Sequence, residues 1–253
     1  MIRLISKKYS DLFGKSVQIF LVLSLISCKS SPIANVANYI YLSPVIDGKM
    51  DTMWYKVPDV KLNNYNLGTE NVKDSNDLSA DFRIAWDSSR LYLLVKVTDD
   101  IKFDVSKVKC AMDIPRGYEC DCIELCFDAK NRKINKLGSF DIKDGDSRYE
   151  FVYDRKGITG TFKSNKGIVF AQSDAPDGYM FEIAIPFETL SILPKPDCTF
   201  GFEISIYDND YSPDLPFYNF DNRSAISWSQ KQGAEAWRNT GLLGNITLSK
   251  NKN

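Results

Sequence analysis

The sequence of 253 residues contains no histidine. Ser-His-Asp and Cys-His catalysis need an imidazole base, and histidine is a frequent ligand of zinc and of haem iron. The absence excludes both catalytic mechanisms, His-ligated zinc and His-ligated haem. Any chemistry in this protein has to use carboxylates, lysine, tyrosine, cysteine or a bound ion.

The sequence also lacks an excess of positive charge. The full chain has 32 basic and 33 acidic side chains. Its first 27 residues hold four basic side chains and one acidic side chain, so the remainder has 28 and 32 and a net charge of −4. Binding to a nucleic acid relies on clustered lysine and arginine. The charge balance therefore predicts no nucleic-acid partner.

A long apolar run is missing as well. The pronounced apolar segment at residues 17–26 is too short to span a hydrocarbon core of about 30 Å. It follows four basic side chains, a pattern typical of an export signal. The segment leads into Leu25, Ile26, Ser27 and Cys28, which resemble the cleavage box of bacterial lipoproteins.

This resemblance implies cleavage before Cys28 and acylation of its thiol, and several acyl chains give stable anchoring. We therefore predict a signal peptide over residues 1–27 and a polar tether over residues 28–38. The protein is expected to be exported and held in the bacterial cell envelope by its lipid anchor alone, at the outer membrane or at a periplasmic or cell-surface face. An ordinary secretory signal followed by an incidental cysteine is the alternative.

Apolar and polar residues alternate along much of the remaining chain, and turn residues separate the segments. Helical periodicity is almost absent. The pattern predicts one all-β domain over residues 39–250, an antiparallel β-sandwich (jelly-roll-like) with short helical turns. Trp54, Trp86 and Trp228 lie in apolar segments and are predicted to be in the core. Strands are expected at residues 39–44, 78–86, 91–98, 121–128, 149–154, 167–173, 179–186, 200–207, 225–228 and 242–248.

Five cysteines remain if Cys28 is lipidated, an odd number for an oxidising compartment. A Cys110–Cys120 disulfide would close the loop that contains Tyr118. The closely spaced cysteines of residues 120–126 also suggest a metal site, but a fourth well-placed thiol and any histidine are missing. The pairing therefore stays open.

The segments, taken in order, resemble the family 9 carbohydrate-binding module. The resemblance covers about residues 45–248 and rests on a series of motifs: VIDGKMDTMW, RIAWDSSRLYLLVKVTDD, YECDCIELCFD, YMFEIAIPFETL, FGFEISIYDND and ISWSQKQGAEAWRNTGLLGNITL. It implies a β-sandwich with bound calcium and a slot in which two aromatic rings hold a mono- or disaccharide. In the family the ligand is often a chain end of a plant polysaccharide such as xylan or cellulose.

The resemblance also implies individual roles. It places the two clamp rings at Tyr118, where tryptophan is typical, and at Trp237. It places an acid of the site at Glu124. An arginine and an asparagine expected on the neighbouring strand fall on Glu150 and Val152, which departs from the family pattern.

The residue types agree with sugar binding. Flat aromatic rings match the C–H faces of a pyranose, and carboxylates and amides match the hydroxyls at its rim. Arg238 and Asn239 lie beside Trp237 and are able to supply such contacts. The alternative is that both clamp rings only cover loop edges. The predicted ligand-binding residues are Tyr118, Trp237, Glu124, Arg238, Asn239 and Glu150.

Three functions follow from these residues. The favoured one is a non-catalytic, carbohydrate-binding lipoprotein that supports carbohydrate catabolism. A glycoside hydrolase that uses carboxylates alone is the second, with Glu124 and Glu150 as the nominated pair. The third is an envelope structural protein that has kept the sandwich and lost the sugar site.

Acidic residues gather at predicted strand ends. Calcium takes six to eight oxygen ligands, which carboxylates and loop carbonyls supply. None of the groups has the spacing of an EF-hand loop, so the expectation of a structural Ca²⁺ ion rests mainly on the family resemblance. The predicted ligands are Asp47, Asp99 and Asp208.

Overall fold

The computed structural model describes residues 35–103, 116–210, 222–229 and 235–250. Thirteen strands lie within these residues and form one sheet. They are β1 (Asn35–Tyr39), β2 (Val60–Lys61), β3 (Asn64–Leu67), β4 (Leu78–Trp86), β5 (Arg90–Asp99), β6 (Cys122–Asp128), β7 (Ser147–Val152), β8 (Ile158–Thr159), β9 (Val169–Ala175), β10 (Gly178–Pro186), β11 (Thr199–Asn209), β12 (Arg223–Ser227) and β13 (Gly244–Ser249).

Helical structure in the described residues is confined to single turns. One α-helical turn spans Phe187–Leu190. The 3₁₀ turns span Thr52–Lys56, Gly117–Glu119, Ile142–Asp144, Ala236–Arg238 and Thr240–Leu242. Two of these turns, Gly117–Glu119 and Ala236–Arg238, contain the aromatic residues predicted as the sugar clamp.

The strand order along the sheet is β8-β7-β6-β11-β13-β1-β4-β5-β10-β9. In addition, β12 pairs with β11, β3 pairs with β12, and β2 pairs with β4. Strand β1 is parallel to both of its neighbours, β13 and β4. The other strand pairs of the described chain are antiparallel. The sheet is therefore mixed at one strand and antiparallel elsewhere.

Aromatic contacts show that the sheet curls onto itself. The Phe82 ring of β4 lies 5.8 Å from the Phe202 ring of β11, measured between centroids. The Phe151 ring of β7 lies 5.2 Å from the Phe170 ring of β9, although these strands are far apart in the strand order. One face of each half thus packs against the other half around a common core. The predicted all-β sandwich is confirmed.

The observed strands follow the predicted segments closely at β4, β5, β6, β10 and β11. The N-terminal region differs. The tether was expected to reach residue 38 and a strand to occupy residues 39–44, but the strand is Asn35–Tyr39, where Asn35 to Asn38 pair in register with Ile246 to Ser249. Backbone pairing to β13, which the local polar sequence does not reveal, orders this segment.

The predicted core tryptophans are placed as follows. Trp54 and Trp86 are buried. Trp228 is half-buried and packs against Phe82 and Phe202, with ring centroids 5.9 and 5.8 Å away. All three therefore contribute to the packed interior, although Trp228 is only partly buried.

Trp54 is held by a buried carboxylate. Its indole Nε1–H donates to Glu182 Oε1 at 2.9 Å, and the backbone N–H groups of Asp47 and Gly48 donate to Glu182 Oε2 at 3.1 and 3.0 Å. A buried carboxylate is tolerated when its lone pairs are used in this way. Glu182 thus attaches the loop after Ile46 to β10.

No helix among the described residues is both long and apolar enough to cross a membrane. The predicted signal peptide, Cys28 and Cys110 lie outside the described residues. Cys120, Cys122, Cys126 and Cys198 are free thiols.

Replacing Trp54 by alanine is expected to lower the free energy of unfolding by about 3–5 kcal/mol, because a large cavity forms and Glu182 loses a donor. Tyr55 is the matched control, since this neighbouring ring is 71% exposed. Tyr55→Ala is expected to change the free energy of unfolding by less than about 0.5 kcal/mol. Urea unfolding measures both values, and equal losses in the two variants would contradict this account.

Candidate functional site

The candidate site lies on the face of β6, β7 and β11 that points away from the sandwich core. Side chains alternate between the two faces of a strand. On β6, Ile123, Leu125 and Phe127 enter the core, so Glu124 lies on the opposite face. All seven residues of β6 are nevertheless buried, including those on the face of Glu124. Loops and turns cover it and form a second buried layer.

A cleft of about 660 Å³ opens in this layer. Its described lining residues come from β3, β7, β8, β11 and β12 and from the intervening turns. Most of the described side chains that line the cleft are aromatic or charged. Among them are Tyr118, Arg148, Glu150, Phe162, Tyr207 and Trp237.

Both predicted clamp rings line this cleft. Tyr118 and Trp237 are each half-buried, so part of each ring remains accessible. A third ring, Phe162, meets Trp237 edge to face with 6.1 Å between centroids. Tyr207 lies 6.5 Å from the Tyr118 ring. The cleft therefore offers aromatic surface on more than one wall.

Arg148 forms the charged centre of the cleft. Its Nε donates to Glu124 Oε2 at 2.6 Å, and its Nη2 donates to Glu150 Oε1. The guanidinium carbon also lies 5.1 Å from the Phe162 ring centroid and 5.6 Å from that of Trp237. Such cation–π contacts orient a guanidinium group and are strongest when it is desolvated. Arg148 thus joins both carboxylates to the aromatic wall.

The electrostatics of this group follow from burial and pairing. Burial opposes the charged form of Arg148, but Glu124 and Glu150 beside it raise its pKa above the usual value. Burial raises the pKa of Glu124, and the charge of Arg148 counteracts that rise. The guanidinium group is therefore held as a permanent cation at the floor of the cleft.

Two glycines allow the backbone to approach Glu150. A Cβ atom on Gly117 would lie 2.2 Å from Glu150 Oε2, and one on Gly160 would lie 2.2 Å from Glu150 Cδ. Gly160 also has a φ of +56°, a conformation that side-chain-bearing residues rarely adopt. Thr159 Oγ1 donates to the same carboxylate at 3.3 Å. Glu150 is therefore enclosed on several sides.

The other predicted ligand contacts are placed differently. Glu124 is 2% exposed and contacts Arg148, and it does not belong to the described lining of the cleft. Arg238 lies 5.3 Å from the Trp237 ring centroid and is paired with Glu235. Asn239 is buried and accepts from the backbone of Gly241. These three side chains support the lining rather than forming it.

Sequence reasoning missed Arg148, the residue that organises the cleft. The family's arginine was expected at Glu150, two positions later on the same strand. Positions 148 and 150 share one face of β7, so the alternation in Ser147–Val152 contained the signal. Val152, the other expected polar position, is buried in an apolar cluster. Phe162 lies in a turn and has no comparable sequence signal.

A group of buried carboxylates lies near one end of β5 and β11. Oxygens of Asp99, Asp121 and Asp208 lie within 4.8 Å of one another, and all three residues are buried. Among the described residues, Asp99 Oδ2 and Asp208 Oδ1 have no hydrogen-bond partner. Burial and the neighbouring carboxylates raise the pKa of Asp208 to about 8 and also raise that of Asp121.

A second group lies close by in sequence and includes Asp77, Asp100 and Asp210. Lys73 supplies positive charge there, with its Nζ 3.1 Å from Asp77 and 3.5 Å from Asp100. Asp121 and Asp77 are not among the metal ligands predicted from the sequence. Neither residue was recognised there as part of an acidic group.

Asp47, the third predicted calcium ligand, belongs to neither group. It is exposed, and its Oδ1 accepts from the backbone N–H of Lys49 at 3.0 Å. The structure thus brings Asp99 and Asp208 together and leaves Asp47 apart. The reason is that Asp47 lies in the loop held by Glu182, whereas Asp99 and Asp208 belong to β5 and β11.

Relatives with assigned names match most of this chain. It is 30% identical over 216 residues to "Exoglucanase XynX" of Acetivibrio thermocellus, a match that covers 85% of the chain and 17% of that relative. It is 29% identical to "Endo-1,4-beta-xylanase A" of Thermoanaerobacterium saccharolyticum, covering 85% of the chain and 16% of that relative. The chain thus spans about a sixth of the length of these relatives.

Solved structures share the fold. A family 9 carbohydrate-binding module from Caldicellulosiruptor kristjanssonii in complex with cellotriose matches with a TM-score of 0.65 and 24% identity, covering 87% of this chain and 95% of that one. A structure of a family 9 module from the same organism in complex with glucose gives a TM-score of 0.63, 24% identity and coverages of 87% and 98%. At this identity the likeness shows the fold alone.

The model of a protein family described as "Carbohydrate family 9 binding domain-like" matches residues 46–251. This range includes the sandwich strands from β2 onward and both turns that contain the clamp rings. The resemblance recognised in the sequence motifs is therefore confirmed, and the chain belongs to the carbohydrate family 9 binding domain-like family.

Proposed function

We propose that this protein is a non-catalytic carbohydrate-binding protein that holds a mono- or oligosaccharide between Tyr118 and Trp237. The observation that carries the proposal is that these rings, more than a hundred residues apart in sequence, line one cleft. The named complexes of structural neighbours with cellotriose and glucose support it. So does the family match over residues 46–251.

The cleft has the chemistry that a sugar requires. The accessible faces of Tyr118, Phe162 and Trp237 offer flat apolar surface to the C–H faces of a pyranose. Arg148 and Glu150 supply donors and acceptors to rim hydroxyls from side chains that their own ion pair holds in place. Prior ordering of these groups reduces the entropy that binding would otherwise cost.

The relatives support a proposed biological role. The relatives named as an exoglucanase and a xylanase contain a region similar to this chain. We propose that the saccharide is a chain end of a plant polysaccharide such as xylan or cellulose. Binding would keep that material near the cell for carbohydrate catabolism.

A carboxylate-only glycoside hydrolase is supported less well by the geometry. Such enzymes place two carboxyl groups on opposite sides of the scissile bond. Glu124 and Glu150 are instead direct neighbours across β6 and β7, and both pair with Arg148. An envelope structural protein without a sugar site is the other alternative, and binding measurements distinguish it.

Trp237→Ala is expected to weaken sugar binding by about 2 kcal/mol, roughly thirtyfold, because the mutation removes one stacking wall. Tyr118→Ala is expected to act in the same direction. Titration calorimetry of the full-length protein in detergent with cellobiose and xylobiose measures the loss, and Tyr55→Ala is the control on an exposed ring elsewhere. Turnover of an aryl glycoside that Glu150→Gln abolishes would support the hydrolase instead.

We also propose a structural calcium ion held by Asp99, Asp121 and Asp208. Three buried carboxylates repel one another unless a cation or protons neutralise them. Asp99 Oδ2 and Asp208 Oδ1, which accept no hydrogen bond within the described part of the chain, are hard acceptors of the kind that calcium prefers. The residues present therefore fit such an ion, which would tie β5 to β11.

The pH dependence of unfolding tests the calcium proposal. In metal-free protein the pKa of Asp208 is raised from 3.8 to about 8, so the folded state binds more protons than the unfolded state between these values. Metal-free stability should therefore fall as pH rises through this range. Ca²⁺ displaces those protons, so its stabilising effect should be larger at pH 8.5 than at pH 6.

The measurement is the melting temperature with EDTA or with excess Ca²⁺ at both pH values. Asp121→Asn should reduce the Ca²⁺ effect, and Asp47→Asn should leave it unchanged as a matched carboxylate-to-amide control. Equal melting temperatures with EDTA and with Ca²⁺ at pH 8.5 would exclude a structural calcium ion here.

We further propose that the protein is exported and anchored by acylation of Cys28. The support is the apolar segment that ends in Leu25, Ile26, Ser27 and Cys28. The described domain begins at Asn35, so seven residues at up to about 3.5 Å each would place it within about 25 Å of the membrane.

Mass spectrometry of the N-terminal peptide from bacterial membranes is expected to show a mature chain that begins at an acylated Cys28. Cys28→Ser should prevent this processing, because the acceptor thiol is lost. The matched control is Cys198→Ser, which also removes a thiol and should leave acylation intact. An unmodified Cys28 in the wild-type protein would contradict the anchor.

A further inference from the structure

The segment that follows β1 exposes a concentration of apolar side chains. Five large apolar side chains in the described part of the chain are more than 60% exposed. Four of them lie close together in sequence: Tyr41 at 79%, Leu42 at 75%, Val45 at 64% and Tyr55 at 71%. Single exposed apolar residues are normal, whereas a cluster of them marks a surface that meets another apolar surface. We call these four residues the apolar patch.

Contacts within the segment make the apolar patch one surface. Its first two residues line a groove of about 580 Å³ with residues of the 3₁₀ turn Thr52–Lys56, which contains Tyr55. The backbone N–H of Val45 donates to Oδ2 of Asp51, the residue before this turn, at 2.7 Å. Trp54, in the same turn, is fully buried and fixes the turn on the domain.

The apolar patch and the sugar cleft lie on opposite outer faces of the sandwich. Side chains of β4, β5 and β10 alternate between the core and a second cluster, which contains Ala85, Tyr92, Leu94 and Ala184. Trp54 and other residues of segment 40–57 cover this outer face. The cleft lies on the outer face of β6, β7 and β11, across the common core. A surface that covered the patch would therefore leave the cleft open.

The proposed lipid anchor keeps this patch near a membrane. The seven residues 28–34 connect the acylation site to β1, and they extend to at most about 25 Å. Strand β1 (Asn35–Tyr39) adds about 17 Å, and Tyr41 follows two residues after it. The tether therefore allows the patch to lie on the bilayer that holds the anchor.

The polar groups of the segment also suit a lipid interface. Residues 39–57 hold two acidic and two basic side chains and so have no net charge. At the edges, Lys250 Nζ lies 3.8 Å from the Tyr39 ring centroid, and Asp87 accepts from Ser43 Oγ at 3.0 Å, which adds one charge of each sign. Tyrosine is enriched at membrane interfaces because it has an apolar ring and a polar hydroxyl. Attraction to lipid would therefore be mainly apolar.

We propose that the apolar patch lies on the surface of the lipid bilayer, so that the sugar cleft opens away from the membrane. This inference rests on the proposed acylation of Cys28 and adds an orientation to it. The bilayer covers the patch because the tether holds the two within reach of each other. A polysaccharide in the surrounding solution then meets an open cleft.

Quenching by brominated lipids tests this contact. Tyr41→Trp places a tryptophan in the apolar patch. Leu137→Trp places one on the cleft side, since Leu137 is 54% exposed and the next residue, Gly138, donates to the Arg238 carbonyl at 2.7 Å. Each full-length, acylated protein is added to phosphatidylcholine vesicles with plain or brominated acyl chains. Wild-type emission in the same vesicles is subtracted.

The emission added by Tyr41→Trp is expected to be at least about twofold lower in brominated vesicles, because interfacial groups lie about 5–10 Å into the boundary of headgroups and acyl chains. The emission added by Leu137→Trp should be the same in both vesicles. The difference should persist in about 1 M salt, which screens charge attraction but not apolar contact.

A second substitution shows whether the apolar patch makes the contact. Leu42→Asp in the Tyr41→Trp protein should reduce the quenching, because a charge disfavours contact with lipid. Leu137→Asp in the Tyr41→Trp protein is the matched control on the cleft side and should leave the quenching unchanged. Thermal unfolding verifies that each variant is folded, and flotation verifies that it is attached to the vesicles.

The remaining outcomes separate this inference from the anchor. Protein that floats with the vesicles but shows no quenching at Tyr41→Trp would overturn the orientation and leave the anchor intact. Equal quenching at Tyr41→Trp and Leu137→Trp would overturn it as well, and so would quenching that survives in Leu42→Asp. Wild-type protein that does not float would overturn both the anchor and the orientation.

Discussion

The buried ion pair network of Arg148 is the interaction on which the rest of the cleft depends. Glu124 and Glu150 lie opposite each other on β6 and β7, where two like charges would repel. The guanidinium group of Arg148 attracts both carboxylates and so offsets their repulsion. Removal of one member of a buried charged group typically costs several kcal/mol, because the remaining charges are left without partners. The network therefore fixes both strands' outer faces in a single arrangement.

This arrangement explains why the sandwich has a second buried layer. The cation of Arg148 attracts Phe162 and Trp237, whose rings lie within 6 Å of it. The Trp237 turn then covers Cys126 and neighbouring apolar groups. A cleft results because the rings of Phe162 and Trp237 lie beside the Arg148 ion pairs and do not cover them. The same packed side chains thus form the binding surface and the internal ion pair. A ligand that enters the cleft meets side chains that are already ordered.

Much of the fold was predictable because it depends on a local pattern. Alternation of apolar and polar residues in β4, β5, β10 and β11 specifies which face enters the core, and a shift of one residue would expose that face. The parallel strand β1 was not predictable, because its sequence NVANY has little apolar periodicity and is ordered by pairing with β13. The short strands β2, β3 and β8 escaped detection for the same reason: their order comes from neighbours.

Three features could be predicted from the sequence alone: the absence of histidine chemistry, the long strands of the sandwich, and the two turns that contain Tyr118 and Trp237. Each depends on composition or on residues near one another in sequence. Three other features became visible in the folded chain: Arg148 joins Glu124 and Glu150, Asp121 completes a buried acidic group, and arginines lie beside Tyr118. Charges interact through space, and strands that are distant in sequence bring them within a few ångströms. The order of residues along the chain does not give these distances. They are set when the sheet curls and brings distant strands together.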